Sequence, residues 1–250
     1  MVMSPLPITR QTIRQFARGK ALLVATGIVF FPIVFAILAQ AVATEQTTQE
    51  LRDILADVIF LGAFTATLLP IATLLLATGA IGDEIDDRTL FYLTLKPLSR
   101  LRIVIEKLLG VLLVCTVLGW AGLATTTLIL GWGRLDELED LFVPMLWATA
   151  GGVVGFGSIF MLLSLFIQRA LLAGLFYTFV WESALARFLP GIRTISIGHY
   201  MNSIFVQLAD DRRITLDQVS ALRTSIITMV GICVVSIILA TWRLRQMNLE

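Results

Sequence analysis

The chain has 250 residues, 57% hydrophobic and 15% charged, with a mean hydropathy of +0.88, whereas an average soluble domain is roughly 25% charged. A water-soluble fold is excluded, and since no polar block is large enough for a soluble domain, the reading is a single membrane domain over 1–250. The 19 basic and 18 acidic residues nearly cancel, so net charge points to no nucleic-acid partner.

In chain order, the segment from Ile8 to Lys20 places Arg10, Arg14 and Arg18 on one helical stripe and Thr9, Ile13 and Phe16 on the opposite side. This predicts an interfacial helix on the inner leaflet, its arginines against anionic headgroups. A helix needs roughly 20 apolar residues to cross a hydrocarbon core of about 30 Å. Stretches near 21–43, 54–80, 103–130, 142–167, 170–190 and 225–242 qualify. The expected fold class is therefore all-α, a polytopic membrane protein with six transmembrane helices. Pro32 and Pro70 are expected to kink the first two spans. The first span is too long for a signal-peptide core and lacks a cleavage site, so it is expected to stay as an anchor.

With a cytoplasmic amino terminus, the inside segments 1–20, 81–107, 168–169 and 243–250 carry the majority of the lysines and arginines. The positive-inside rule favours that orientation, with both termini cytoplasmic and the chain in the inner membrane. The acids Glu45, Glu50 and Asp53, then Asp136, Glu137, Glu139 and Asp140, fall in outer loops.

In the fourth span Gly151-x-x-x-Gly155 offers a face for close helix approach. Glu182 is the clearest ionisable residue inside a span. It is a candidate intramembrane polar site, read either as a substrate-facing group or as the structural partner of Arg187 or Arg193. Residues 191–224 form the longest outer segment, and Ile192 to Leu208 is too apolar for a solvated loop, which suggests re-entrant or interfacial helices. Cys115 and Cys233 lie in apolar runs, and the lone His199 excludes H-E-x-x-H zinc chemistry. Gly19-Lys20 is followed by Ala21 and lacks the upstream glycine of a phosphate-binding loop. No catalytic or metal site, and no cofactor of this chain, is expected.

Between the second and third spans runs Gly82-Asp83-Glu84-Ile85-Asp86-Asp87-Arg88-Thr89-Leu90-Phe91-Tyr92-Leu93, continuing to Pro97, Ser99, Arg100 and Glu106-Lys107. Acids come first, where a helix amino terminus favours them, Leu90 and Leu93 give an apolar face, and Pro97 ends the helix. A short amphipathic helix over 82–100, held between two spans, has the stiffness of a lever.

At Glu84, Thr89-Leu90, Leu93, Pro97, Ser99-Arg100 and Lys107 the sequence resembles the ABC-2 type permease superfamily, with Arg88 standing where the family usually has glycine. Among relatives it is similar to compact permeases such as the nitrous-oxide reductase maturation permease group. The resemblance implies the membrane subunit of an ATP-binding cassette exporter, paired with a second copy or a related permease. Two separate ATPase subunits would bind the ATP and Mg2+. Asp86, Asp87, Arg88, Thr89, Leu90 and Leu93 would couple to the ATPase, while Glu84, Pro97, Ser99, Arg100 and Lys107 brace the segment. A second reading is a complex that relays ATP-driven motion to a membrane or periplasmic partner without moving cargo, with 191–224 as its effector surface.

Overall fold

The structure is a computed structural model and describes residues 6–42, 47–86, 99–185, 194–211, 213–214, 216 and 218–246. Every regular element among them is helical: α1 (Pro7–Arg18), α2 (Lys20–Phe30), α3 (Pro32–Val42), α4 (Thr48–Asp53), α5 (Leu69–Asp86), α6 (Arg100–Leu130), α7 (Glu139–Phe166), α8 (Ala170–Phe176), α9 (Ile197–Ala209) and α10 (Leu222–Gln246). A π-helical stretch, Ile54–Leu68, joins α4 to α5, and another, Tyr177–Leu185, extends α8.

Four described helices are long and apolar enough to cross a membrane: Lys20–Ala41, Thr48–Gly82, Glu139–Phe166 and Leu222–Gln246. The 31 residues of α6 extend about 46 Å at 1.5 Å per residue and carry no charge after Lys107. Ala170–Glu182 is apolar but shorter. The protein is an all-α polytopic membrane protein. Helices dominate because lipid offers no partner for backbone N–H and C=O groups, which must be satisfied within each segment.

The prolines act where their missing N–H requires it. The first apolar helix breaks at Phe31, whose N–H turns back to Ile28 at 3.2 Å just ahead of Pro32. Pro70 sits where the π-helical turns give way to α5. The segment expected to form a separate helix from residue 82 differs at its start: residues 82–86 continue α5, because nothing breaks the helix before Asp86.

α7 lies at the centre, packed on α5, α6, α9 and α10. Its glycines receive α9 closely: a methyl added at Gly152 would fall 2.4 Å from Met201 Sδ, and one at Gly155 would fall 2.7 Å from Ile197. The small-residue face read from the sequence thus seats α9, an element of the same chain. α9 buries Ile197, Met201, Ile204 and Phe205, and Phe205 meets Phe60 with ring centroids 4.6 Å apart.

Two ends of the bundle can be told apart. The α1 end gathers the end of α5, the start of α6 and the last turns of α7 and α10; the distal end holds α4, the turn Leu135–Glu137 with the start of α7, and Asp211 after α9. On α1, Ile8, Thr9, Thr12 and Phe16 are buried. Ile13 departs from expectation: it is 38% exposed, and Thr12 takes the inner position. Thr12 packs directly on Gly110 of α6, where an added methyl would lie only 3.0 Å from its side chain, so the glycine is what lets this face of α1 approach.

Candidate functional site

The α1 end holds two buried charged clusters built on adjacent residues of α6. Lys107 is fully buried and places Nζ 2.6 Å from Glu84 Oε2 and 2.5 Å from the Ala80 carbonyl. It therefore ties α6 to the last turns of α5. Glu106, also buried, turns toward α1: its Oε2 accepts from the Ile8 N–H at 2.8 Å, and its backbone carbonyl accepts from Thr9 Oγ1 at 2.8 Å. Pro7 opens α1 without an N–H, so Ile8 carries an orphan donor of the first turn, and a carboxylate there also complements the helix dipole. Arg102 reaches the second Glu106 oxygen at 2.6 Å.

The start of α6 is fixed separately. Ser99 caps it, Oγ accepting from the Arg102 N–H at 3.3 Å. Arg100 donates to the Leu244 carbonyl of α10. Arg243 donates to the Leu165 carbonyl at 3.3 Å and stands over the Phe166 ring. The structure thus joins Glu84 to Lys107 and sets Ser99 and Arg100 at the head of α6. Asp86 closes α5, its side chain outside those described; Asp87, Arg88, Thr89, Leu90, Leu93 and Pro97 lie outside the described residues. Arg10 and Arg14 are exposed on α1 and, with Pro7, Gln11 and Gln15, line an open cavity of about 400 Å³. Arg18 ends α1, and its side chain is likewise outside those described.

Glu182 lies in the π-helical extension of α8 and accepts four hydrogen bonds: Tyr177 OH at 2.7 Å, Ser196 Oγ at 2.5 Å, Ile197 N–H at 2.9 Å and Gly198 N–H at 3.1 Å. Its carboxylate caps α9, where the helix dipole favours negative charge. Arg187 and Arg193, considered as partners, lie outside the described residues.

At the distal end Arg52 donates to the Glu137 carbonyl at 2.8 Å, Asp140 at 3.1 Å and Asp211 at 3.2 Å, joining α4 to the start of α7 with its preceding turn and to the residue following α9's end. The Arg213 N–H, and then Arg52, hold the Asp211 carboxyl below the usual carboxylate range. Arg134, 2.8 Å from Glu137, does the same for that acid. Among the described residues no group of three or more His, Cys, Asp or Glu side chains is arranged to hold a metal ion.

A family model described as "ABC-2 family transporter protein" matches residues 6–249. The chain belongs to the ABC-2 transporter family. A search of curated proteins returned no match.

In this permease, three residues of consequence carried no assigned role from sequence alone: Glu106, Arg52 and Tyr177. Glu106 had a usable signal, an acid beside Lys107 and four residues after Arg102 at the head of an otherwise apolar helix. Arg52 had none, because its partners come from distant segments, whereas Tyr177 stands five residues before its partner Glu182 in the same π-helical stretch.

Proposed function

We propose that the chain is the six-span membrane subunit of an ABC exporter of the inner membrane, with both termini cytoplasmic. A separate ATPase, present in two copies and holding ATP and Mg2+, hydrolyses ATP, and segment 82–100 passes the resulting motion to the spans. The permease pairs with a second copy or a related chain, and its place in the family is near the compact maturation-type permeases.

The observation that carries this reading is the fixing of the end of α5 and the head of α6, the two points between which the segment runs. The Glu84–Lys107 pair and the Lys107 bond to Ala80 hold one end, and the Ser99 cap and the Arg100 bond to α10 hold the other. A lever must be stiff where it is anchored, and buried ion pairs and caps resist displacement. Asp86, Asp87, Arg88, Thr89, Leu90 and Leu93 form the docking face of this reading, Pro97 ends its helix, and Arg10, Arg14 and Arg18 hold α1 to anionic headgroups. Glu182 serves as a fixed acceptor for α9, since its four donors leave no call for a substrate cation.

The test is co-purification of the ATPase together with substrate-stimulated hydrolysis. Burying a leucine contributes about 1.5–3 kcal/mol, so Leu90→Asp and Leu93→Asp should each weaken the complex on the order of tenfold or more, while Asp53→Asn at the distal end should not. Normal complex formation and stimulation in both leucine variants would place the coupling surface elsewhere.

A further inference from the structure

The apolar segment that starts at Ala170 changes its winding part-way: Ala170–Phe176 is α-helical and Tyr177–Leu185 is π-helical. A π-helix closes i→i+5 hydrogen bonds, is rare, and occurs mostly as short stretches at functional positions. Its side-chain register differs from that of an α-helix in a way this segment uses. At roughly 3.6 residues per turn, residues five apart on an α-helix point about 140° away from each other; on a π-helix they lie nearly one above the other. Tyr177 and Glu182 are five apart, and Tyr177 OH donates to Glu182 Oε1 at 2.7 Å. The π winding is what brings these two side chains together. An α winding would set Glu182 over Thr178 instead, whose hydroxyl already donates to the Gly174 carbonyl at 2.9 Å.

The same winding aims Glu182 at α9. Its oxygens accept from Ser196 Oγ and from the Ile197 and Gly198 N–H groups, the cap and first turn of that helix. Oε1 is shared between Tyr177 and Ile197, so one atom joins the winding of the segment to the seat of α9. Farther along α9, Phe205 meets Phe60 of the other π-helical stretch, Ile54–Leu68, and that stretch packs on Tyr177–Leu185. Tyr177 is steadied by an edge contact with Phe160 of α7, ring centroids 6.0 Å apart.

We infer that the Tyr177–Glu182 bond is a winding clamp. It holds the segment in its π form and thereby keeps α9 docked. When it opens, the segment rewinds to α and turns the carboxylate away from Ser196, Ile197 and Gly198. A switch needs two arrangements and a contact that only one of them makes. The π winding is the intrinsically rarer arrangement, and the clamp is the contact that selects it. A π-helix also fits more residues into each turn than an α-helix, so rewinding lengthens the segment. α8 starts three residues after α7 ends, at the α1 end of the bundle. A displacement of α8 there therefore reaches α9 as a change of winding. The inference requires neither an ATPase nor a cargo.

The test reads winding and docking separately in the purified full-length permease in lipid bilayers. With 13C-carbonyl tyrosine and 15N glutamate, solid-state NMR should place the Tyr177 carbonyl carbon about 4 Å from the Glu182 backbone nitrogen, the span of one N–H···O=C bond. Glu182→Gln with 15N glutamine, which keeps Oε1, should retain that coupling. Glu182→Ala with 15N alanine should lose it. Docking is read as the distance between spin labels at Leu172→Cys and Gln207→Cys, both exposed, with Cys233→Ser and Cys115 buried. Tyr177→Phe, which removes one hydroxyl and keeps the ring, should add a population displaced by several Å. Tyr200→Phe, which removes a hydroxyl bonded to the Thr194 carbonyl at 2.7 Å, should add none. A hydrogen bond that merely stabilised the fold would lower Tm and move neither readout. Absence of the coupling in wild type, its retention in Glu182→Ala, or an unchanged label distance in Tyr177→Phe would overturn the inference. None of these readouts depends on ATPase docking, so failure here and failure of the export reading are told apart.

Discussion

Replacing Lys107 by methionine probes the junction between α5 and α6 most directly. The Lys107 side chain is 1% exposed and that of Glu84 is 9% exposed, with 2.6 Å between the charged atoms. At an effective dielectric of about 20, charges this close attract by about 6 kcal/mol. Desolvation costs several kcal/mol per ion, so the pair as a whole comes close to breaking even. Removing one partner is different. Lys107→Met takes the lysine cation from the buried Glu84 carboxylate, the kind of change that costs about 3–5 kcal/mol, and it also removes the donor to the Ala80 carbonyl. Against a total stability of about 5–15 kcal/mol this is a large fraction, and it should lower the apparent Tm by roughly 6–20 °C. Methionine matches the lysine stem in length, so little cavity forms and the effect reports charge. The double variant Glu84→Gln/Lys107→Met removes the carboxylate as well and should recover most of the loss. The assay is thermal unfolding of the purified permease in nanodiscs, with a double-mutant cycle over the two positions. A Lys107→Met Tm equal to wild type, or losses that simply add in the double variant, would refute the argument.

Two further outcomes follow from the other clusters. Glu182→Ala strands the Tyr177 and Ser196 hydroxyls and the Ile197 and Gly198 amides, at about 1–3 kcal/mol for each buried donor. Hydrogen exchange at Ile197 and Gly198 should quicken in that variant and much less in Glu182→Gln, which keeps one acceptor oxygen; equal protection in all three forms would show that the cap is unimportant. At Asp211 the folded-state carboxyl titrates below its unfolded value, so its contribution is complete above about pH 4 and disappears as pH falls through the lower folded value. Thermal scans between pH 6 and pH 3 should show a steeper acid loss in wild type than in Asp211→Asn, and identical slopes would remove Asp211 from the distal junction.

Hydropathy is a local property, and the class of this protein was legible in its sequence for that reason. Apolar runs longer than a bilayer is thick must become helices, because each segment in lipid has to satisfy its own backbone. The run 103–130 could be read as helical without knowing any of its neighbours. The pattern of Glu84, Thr89-Leu90, Leu93, Pro97, Ser99-Arg100 and Lys107 was likewise visible, since a motif is a matter of spacing along one chain. Partners are not local. α6 is apolar on nearly every side, so it offers no amphipathic face to say which neighbour each residue meets. Glu106 and Lys107 are adjacent in sequence, yet one holds α1 and the other α5, because successive residues on a helix point about 100° apart. Glu182 could be recognised as a carboxylate in an apolar span, but its acceptor role depends on the chain returning at Ser196 to present two amide donors. The distal acids follow the same logic: four acids stood together in sequence, and tertiary packing decided that arginines reach Glu137 and Asp140 while Asp136 and Glu139 are in no ion pair among the described residues. Burial energy scales with composition and reads out residue by residue, whereas ion pairs and caps need two groups within about 3 Å, a distance that only the packed bundle sets.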